Sequence, residues 1–130
     1  MNLEGLLTAL NALANRIRLK TFLILLDGEF CVCELQRILN IEQSRLSHQL
    51  KVLKYSGLVE TKQDGRWIFY YVPEEIKNNE IIKAIKKSIQ LSPTELEKIK
   101  EIKRERTGGK ECSGKIPSVD EIKKWIQEEL

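Results

Sequence analysis

The chain has 130 residues, enough for one compact domain with an appendage but too few for two full domains. Charged residues reach 32%, aromatic ones only 6%, and the net charge is +3. This composition predicts a mainly helical, highly charged protein. No apolar run approaches the ~20 residues of a membrane span, and no basic segment leads into an apolar one at the amino terminus, so neither a membrane nor a secretory role is expected and the location expected is cytoplasmic.

Leu3, Leu6, Leu7, Leu10 and Leu13 recur at i, i+3, i+4, i+7 and i+10, which predicts a first helix. Its leucine stripe suits either a partner subunit or the chain's own core. A second helix is expected over 16–26, where Ile17, Leu19, Phe22, Leu23, Leu25 and Leu26 cover most of the circumference, and Asp27-Gly28 ends it. A short third helix over 32–39 turns Val32, Leu35, Ile38 and Leu39 inward.

Asn40 and Ile41 make a tight connection to the stretch 44–59, SRLSHQLKVLKYSGLV. Leu46, Leu50 and Leu53 there form one narrow apolar stripe. Ser44, His48, Lys51 and Tyr55 fall opposite, flanked by Arg45 and Ser47, so the exposed face offers hydroxyls, a guanidinium, an imidazole and an ammonium without a carboxylate. Two short helices separated by a three- to four-residue turn have helix-turn-helix spacing, with the second as the reading helix. Gly57 supplies the helix stop.

After Gly57 the period changes. Residues 58–62 and 66–72 are rich in β-branched and aromatic types, with Gln63-Asp64-Gly65 as a hairpin turn between them. A hairpin directly after a helix-turn-helix is a wing, and Lys62 and Arg66 at its tip suit phosphates or the minor groove. Residues 43–71 carry five basic and two acidic groups, a local +3 equal to the net charge of the whole chain.

Pro73 ends the strand, and one helix over 74–90 is expected to place Ile81, Ile82, Ile85 and Ile89 on one side, a second candidate seam for a dimer. Ser92-Pro93-Thr94-Glu95 reads as a capping box opening a helix to about Arg106. Residues 107–117 read as a loop. Ser118 to Glu121 form a second capping box, and a last helix would carry Ile122, Trp125, Ile126 and Leu130. The expected division is a DNA-binding and dimerisation domain over 1–91 and a helical extension over 92–130.

Three cysteines is an odd number, which argues against a disulfide framework and toward thiolate chemistry, metal binding or burial. On a regular helix Cys31 and Cys33 would point about 200° apart. To share one ion they must lie at the helix start, or its first turn must unwind. The projection puts Cys31 at the edge of the inward face and Cys33 away from it, where the helix amino terminus and Arg37 favour thiolate.

The arrangement resembles the ArsR/SmtB family of winged-helix, metal-sensing transcriptional repressors. The residues that carry the resemblance are Ala14-Asn15-Arg16-Ile17-Arg18, then Glu29-Phe30-Cys31-Val32-Cys33-Glu34-Leu35, and Ser47-His48-Gln49-Leu50-Lys51-Val52-Leu53 with Ser56-Gly57-Leu58-Val59. It covers residues 3–90.

The resemblance implies a mainly α winged helix-turn-helix with a β-hairpin wing, working as a homodimer that leaves its operator when an ion binds. The arsenic- and cadmium-type members carry a Cys-x-Cys pair where Cys31 and Cys33 stand. Where the best-known arsenite sensors have a third cysteine, this chain has Gln36, and the histidine set of zinc- and nickel-type members after the wing is absent. Cys112 is the remaining candidate for a third thiolate.

Soft thiolates favour As(III) and Sb(III), with Cd, Pb and Zn as further candidates. The expected metal ligands are therefore Cys31, Cys33 and Cys112. The expected DNA contacts are Gln43, Ser44, Arg45, Ser47, His48, Lys51, Lys62 and Arg66, on an inverted-repeat duplex with half-sites one turn apart. Two other readings use the same features: a redox-responsive regulator working through Cys31 and Cys33, and a winged-helix protein-interaction module. An enzyme is not expected, because His48 is the only histidine and no phosphate-binding glycine loop occurs.

Overall fold

The computed structural model describes residues 1–107; Cys112 and the expected last helix lie outside them. Helix α1 spans Leu3–Leu13, α2 Arg16–Leu26, α3 Val32–Leu39 and α4 Gln43–Tyr55. Strands β2 (Glu60–Asp64) and β3 (Trp67–Tyr71) follow, then α5 (Glu74–Lys77), α6 (Glu80–Ser88) and α7 (Pro93–Thr107). A two-residue strand β1, Phe30–Cys31, precedes α3. The three strands form an antiparallel sheet in the order β1-β3-β2.

Asparagines start three of these helices. The Asn2 side chain accepts from the Gly5 N–H at 2.7 Å, Asn15 from Arg18 at 3.1 Å, and Asn79 from Ile81 at 2.9 Å. Each satisfies a donor that the helix cannot. Asn79 also explains why the expected helix over 74–90 is two helices: the chain leaves α5 at Asn78 and Asn79 caps a new start. Ile82 is buried by this arrangement, whereas Ile81 and Ile89 stay exposed.

Asn40 ends α3 in the left-handed conformation, φ 54°, and residues 40–42 make the turn into α4. Gly57 closes α4 at φ 83°, with open space where a Cβ would stand, so the backbone conformation and not crowding selects glycine. The hairpin turn falls one step later than expected. Asp64 pairs with Trp67, leaving Gly65 (φ 62°) and Arg66 as the two-residue tip.

One core joins these elements. Phe22, Ile24 and Leu25 of α2 pack with Leu35 and Ile38 of α3, Leu46, Leu50 and Leu53 of α4, and Phe30, Leu58 and Val59. Ile99 and Ile102 of α7 complete it. α7 is thus packed against the main core through Ile99 and Ile102. The Ser92–Glu95 capping box is present in both directions, each bond 3.2 Å long.

Candidate nucleic-acid interface and thiol pair

The helix-turn-helix is set by burial on one side of α4. Leu46, Leu50 and Leu53 are fully buried, so Ser44, Arg45, His48, Lys51 and Tyr55 are turned to solvent. Gln43 and Ser47 are half-buried at the flanks of that face. Gln49 is drawn inward: its Oε1 accepts from Arg18 Nη1 at 2.6 Å, while Arg18 Nε donates to the Ala12 carbonyl at 2.6 Å. Arg18 therefore ties α1, α2 and α4 together. This tie was not legible in the sequence, because Arg18 and Gln49 stand 31 residues apart.

Among the described residues, Arg45, His48, Lys51 and Arg66 make no ion pair. Lys54 donates to Thr61 Oγ1 at 3.1 Å, fastening the end of α4 to β2. Lys62 is exposed but engaged, its Nζ 2.7 Å from Glu29 Oε2. The wing thus offers Arg66 at its tip directly, and Lys62 only after exchange with a carboxylate.

Cys31 and Cys33 come together. Cys31 closes β1 and stands at the N-cap of α3 in extended backbone, so its side chain is not held to helical projection. The two sulfurs lie 2.9 Å apart. Cys31 is buried and Cys33 half-buried. Because the sulfurs already converge, no unwinding of α3 is needed to bring both onto one ion. Among the described residues no group of three or more His, Cys, Asp or Glu is arranged to hold a metal. Two soft donors at one point suit a thiophilic ion.

The start of α3 is fixed by a carboxylate. Glu34, almost fully buried, accepts from the Cys31 N–H at 3.1 Å and is paired with Arg106 of α7. Arg106 Nε donates to Glu34 Oε2 at 3.2 Å, and Nη2 donates to both Glu34 Oε1 and the Glu29 carbonyl, the latter at 2.9 Å. The guanidinium also lies over Phe30 and Phe69, 5.1 and 5.7 Å from the ring centroids. Arg37, expected to act on Cys33, is instead held by Glu105 and Glu101 of α7. The Glu105 hydrogen bonds raise its pKa above the ordinary guanidinium value.

The thiols border a cleft of about 170 Å³ whose other walls are the start of α4 at Gln43 and the wing from Arg66 to Ile68. The thiol pair, the reading helix and the wing therefore meet in one place.

Comparison with known proteins points to one family. The model for "Bacterial regulatory protein, arsR family" matches residues 15–61, from the start of α2 into β2. The arsenic resistance transcriptional regulator ArsR1 of Pseudomonas putida is 36% identical over 56 residues, 43% of this chain and 44% of that protein. The chain spans 54–65% of the length of the first four curated relatives.

Among solved structures, HlyU from Vibrio cholerae superimposes with a TM-score of 0.59 at 34% identity, covering 65% of this chain and 91% of that one. The homodimeric winged helix-turn-helix domain of Mb0332 from Mycobacterium bovis gives 0.59 at 25% identity, covering 66% and 79%.

Proposed function

The chain belongs to the ArsR family of bacterial regulatory proteins, and on that footing we propose that it is a transcriptional repressor, not an enzyme, which leaves its operator when a thiophilic ion binds Cys31 and Cys33. The observation that carries this reading is the convergence of the two sulfurs, 2.9 Å apart, at the start of the helix that packs on the reading helix. As(III) and Sb(III) head the ion list and Cd, Pb and Zn follow, since the donors are thiolates without imidazole. Cys112 is the proposed third ligand. The relative named for arsenic resistance supports this order.

The repressor works as a homodimer on double-stranded DNA carrying an inverted repeat. Leu3, Leu7 and Leu10 of α1 are exposed, with Ile81 of α6, and these apolar residues are the proposed seam. The homodimeric relative supports it. Ser44, Arg45, Ser47 and His48 read base edges, Gln43 and Lys51 position the helix, and Arg66 with Lys62 contacts phosphates. No helix among the described residues is long and apolar enough to cross a membrane, and the cytoplasm is the proposed location.

The coupling differs from the unwinding that a regular helix would require. An ion held by the preformed pair sits between the start of α4 and the wing, so it need only favour the released conformation by about 1–3 kcal/mol to weaken DNA binding several- to a hundred-fold.

The test is Cys33→Ser, read by fluorescence anisotropy on a palindromic duplex selected by the wild-type protein. It should keep DNA affinity and lose release by arsenite or cadmium, together with the ultraviolet thiolate-to-metal absorption. Normal release by the ion would overturn the site. Release by peroxide alone would transfer the same cysteines to the redox reading.

A further inference from the structure

We propose that Arg106, in the last turn of α7, is a positioning residue for the thiol pair: by holding Glu34 on the Cys31 N–H it keeps Cys31 out of the helix and its sulfur against that of Cys33. This rests on the reading of Cys31 and Cys33 as the effector site, and adds to it a side chain 72 residues from Glu34.

The convergence of the sulfurs has a backbone cause. On a continuous helix, residues two apart point about 200° from one another. The sulfurs come within 2.9 Å because Cys31 is extended, φ −85° and ψ 169°, while Cys33 lies inside α3. If α3 began one residue earlier, Cys31 would turn helical and the sulfurs would part. What pins the start of α3 therefore decides whether the two thiols meet.

Arg106 grips that start from several sides. Its Nε and Nη2 fork onto Glu34, whose Oε1 accepts the Cys31 N–H at 3.1 Å. Nη2 also donates to the carbonyl of Glu29, two residues before Cys31, at 2.9 Å. The guanidinium lies over the ring of Phe30, which precedes Cys31, and over that of Phe69, which pairs with Cys31 across the sheet. The Glu34 side chain is only 5% exposed, so water is a poor substitute for its cation. Without Arg106 the carboxylate is drawn toward solvent, and the Cys31 N–H loses the acceptor that marks the N-cap. The first turn is then free to wind over Cys31.

The reading face does not depend on this grip. Arg45, His48 and Lys51 stand on α4, which is seated in the core by Leu46, Leu50 and Leu53. Ion binding and DNA binding should therefore separate at Arg106.

The experiment uses the reduced full-length protein, with cadmium as the ion. In folded Arg106→Ala, cadmium affinity read by sulfur-to-cadmium absorption should fall about 10- to 100-fold, as when a group that orients a metal ligand is lost. Operator affinity without the ion should be unchanged. A metal-free reading is the equilibrium for closing a Cys31–Cys33 disulfide against glutathione, taken in a Cys112→Ser background. Closure needs the sulfurs together, and should fall about tenfold in Arg106→Ala. Lys20→Ala strands another nearly buried carboxylate, Glu95 at the opposite end of α7; it should lower stability and move neither reading. Should Arg106→Ala fail to fold, Arg106→Lys, which keeps the charge beside Glu34 but loses the fork, should lower both readings about threefold.

If either reading is unchanged in the folded Arg106 variant, or falls equally in Lys20→Ala, the proposal is overturned. Full retention of cadmium binding by Cys33→Ser overturns instead the thiol-pair reading on which it rests, and the glutathione measurement then still decides the role of Arg106.

Discussion

Helices α4 and α7 both pack against α3, and both are dense in charge, yet they handle it in opposite ways. On α4, Arg45, His48 and Lys51 face solvent with no ion pair among the described residues. On α7, Glu95 meets Lys20, Glu101 and Glu105 meet Arg37, Lys103 meets Asp27, and Arg106 meets Glu34. The first helix keeps its cations available for a polyanion, and the second consumes its charges in fastening itself to the fold. The difference comes from where the carboxylates stand: α4 has none on its exposed face, and α7 lies along a surface that supplies partners for Glu95, Glu101, Lys103, Glu105 and Arg106.

The contrast predicts a separation of phenotypes. Arg106→Ala should cost stability, about 3 kcal/mol in urea unfolding, because it strands the buried Glu34 carboxylate, yet operator affinity should fall only as far as folding does. Glu34→Gln added to it should recover part of the loss.

Arg45→Ala should do the reverse, lowering operator affinity by about 1–3 kcal/mol in anisotropy titrations while leaving the unfolding midpoint in place. A smaller change is expected at the wing, where Arg66→Ala should reduce the slope of log affinity against log salt by about one.

Smallest is Glu29→Gln. By releasing Lys62 it should strengthen DNA binding two- to threefold at low salt, an effect worth less than about 1 kcal/mol and erased as salt rises. If Arg106→Ala weakened DNA binding in the fully folded protein, or Arg45→Ala melted the fold, the division between the two helices would be lost.

Much of this was legible in the chain because it is local. The leucine stripe of α1, the apolar girth of α2 and the two short helices with Asn40 between them follow from period and capping, and their observed bounds agree with those expectations. β1 was not legible, since two residues cannot show alternation and its partner is some forty residues away. The division of 74–90 hinged on whether Asn79 caps or continues a helix, which tertiary packing decides. The placement of α7 depends on Arg106 finding Glu34 across 72 residues. For the site, the reading face was visible as a helix face without carboxylates. The closeness of the thiols was not, because it comes from Cys31 lying on a strand.

Arg18 has a consequence for operator geometry. Its guanidinium links the end of α1, through the Ala12 carbonyl, to Gln49 on the inner flank of α4. In the proposed dimer α1 lies at the seam, so the two Arg18 side chains act as spacers between the symmetry axis and each reading helix. The tolerance of the repressor for one added or deleted base pair between half-sites is then a measure of how stiffly that single side chain is held.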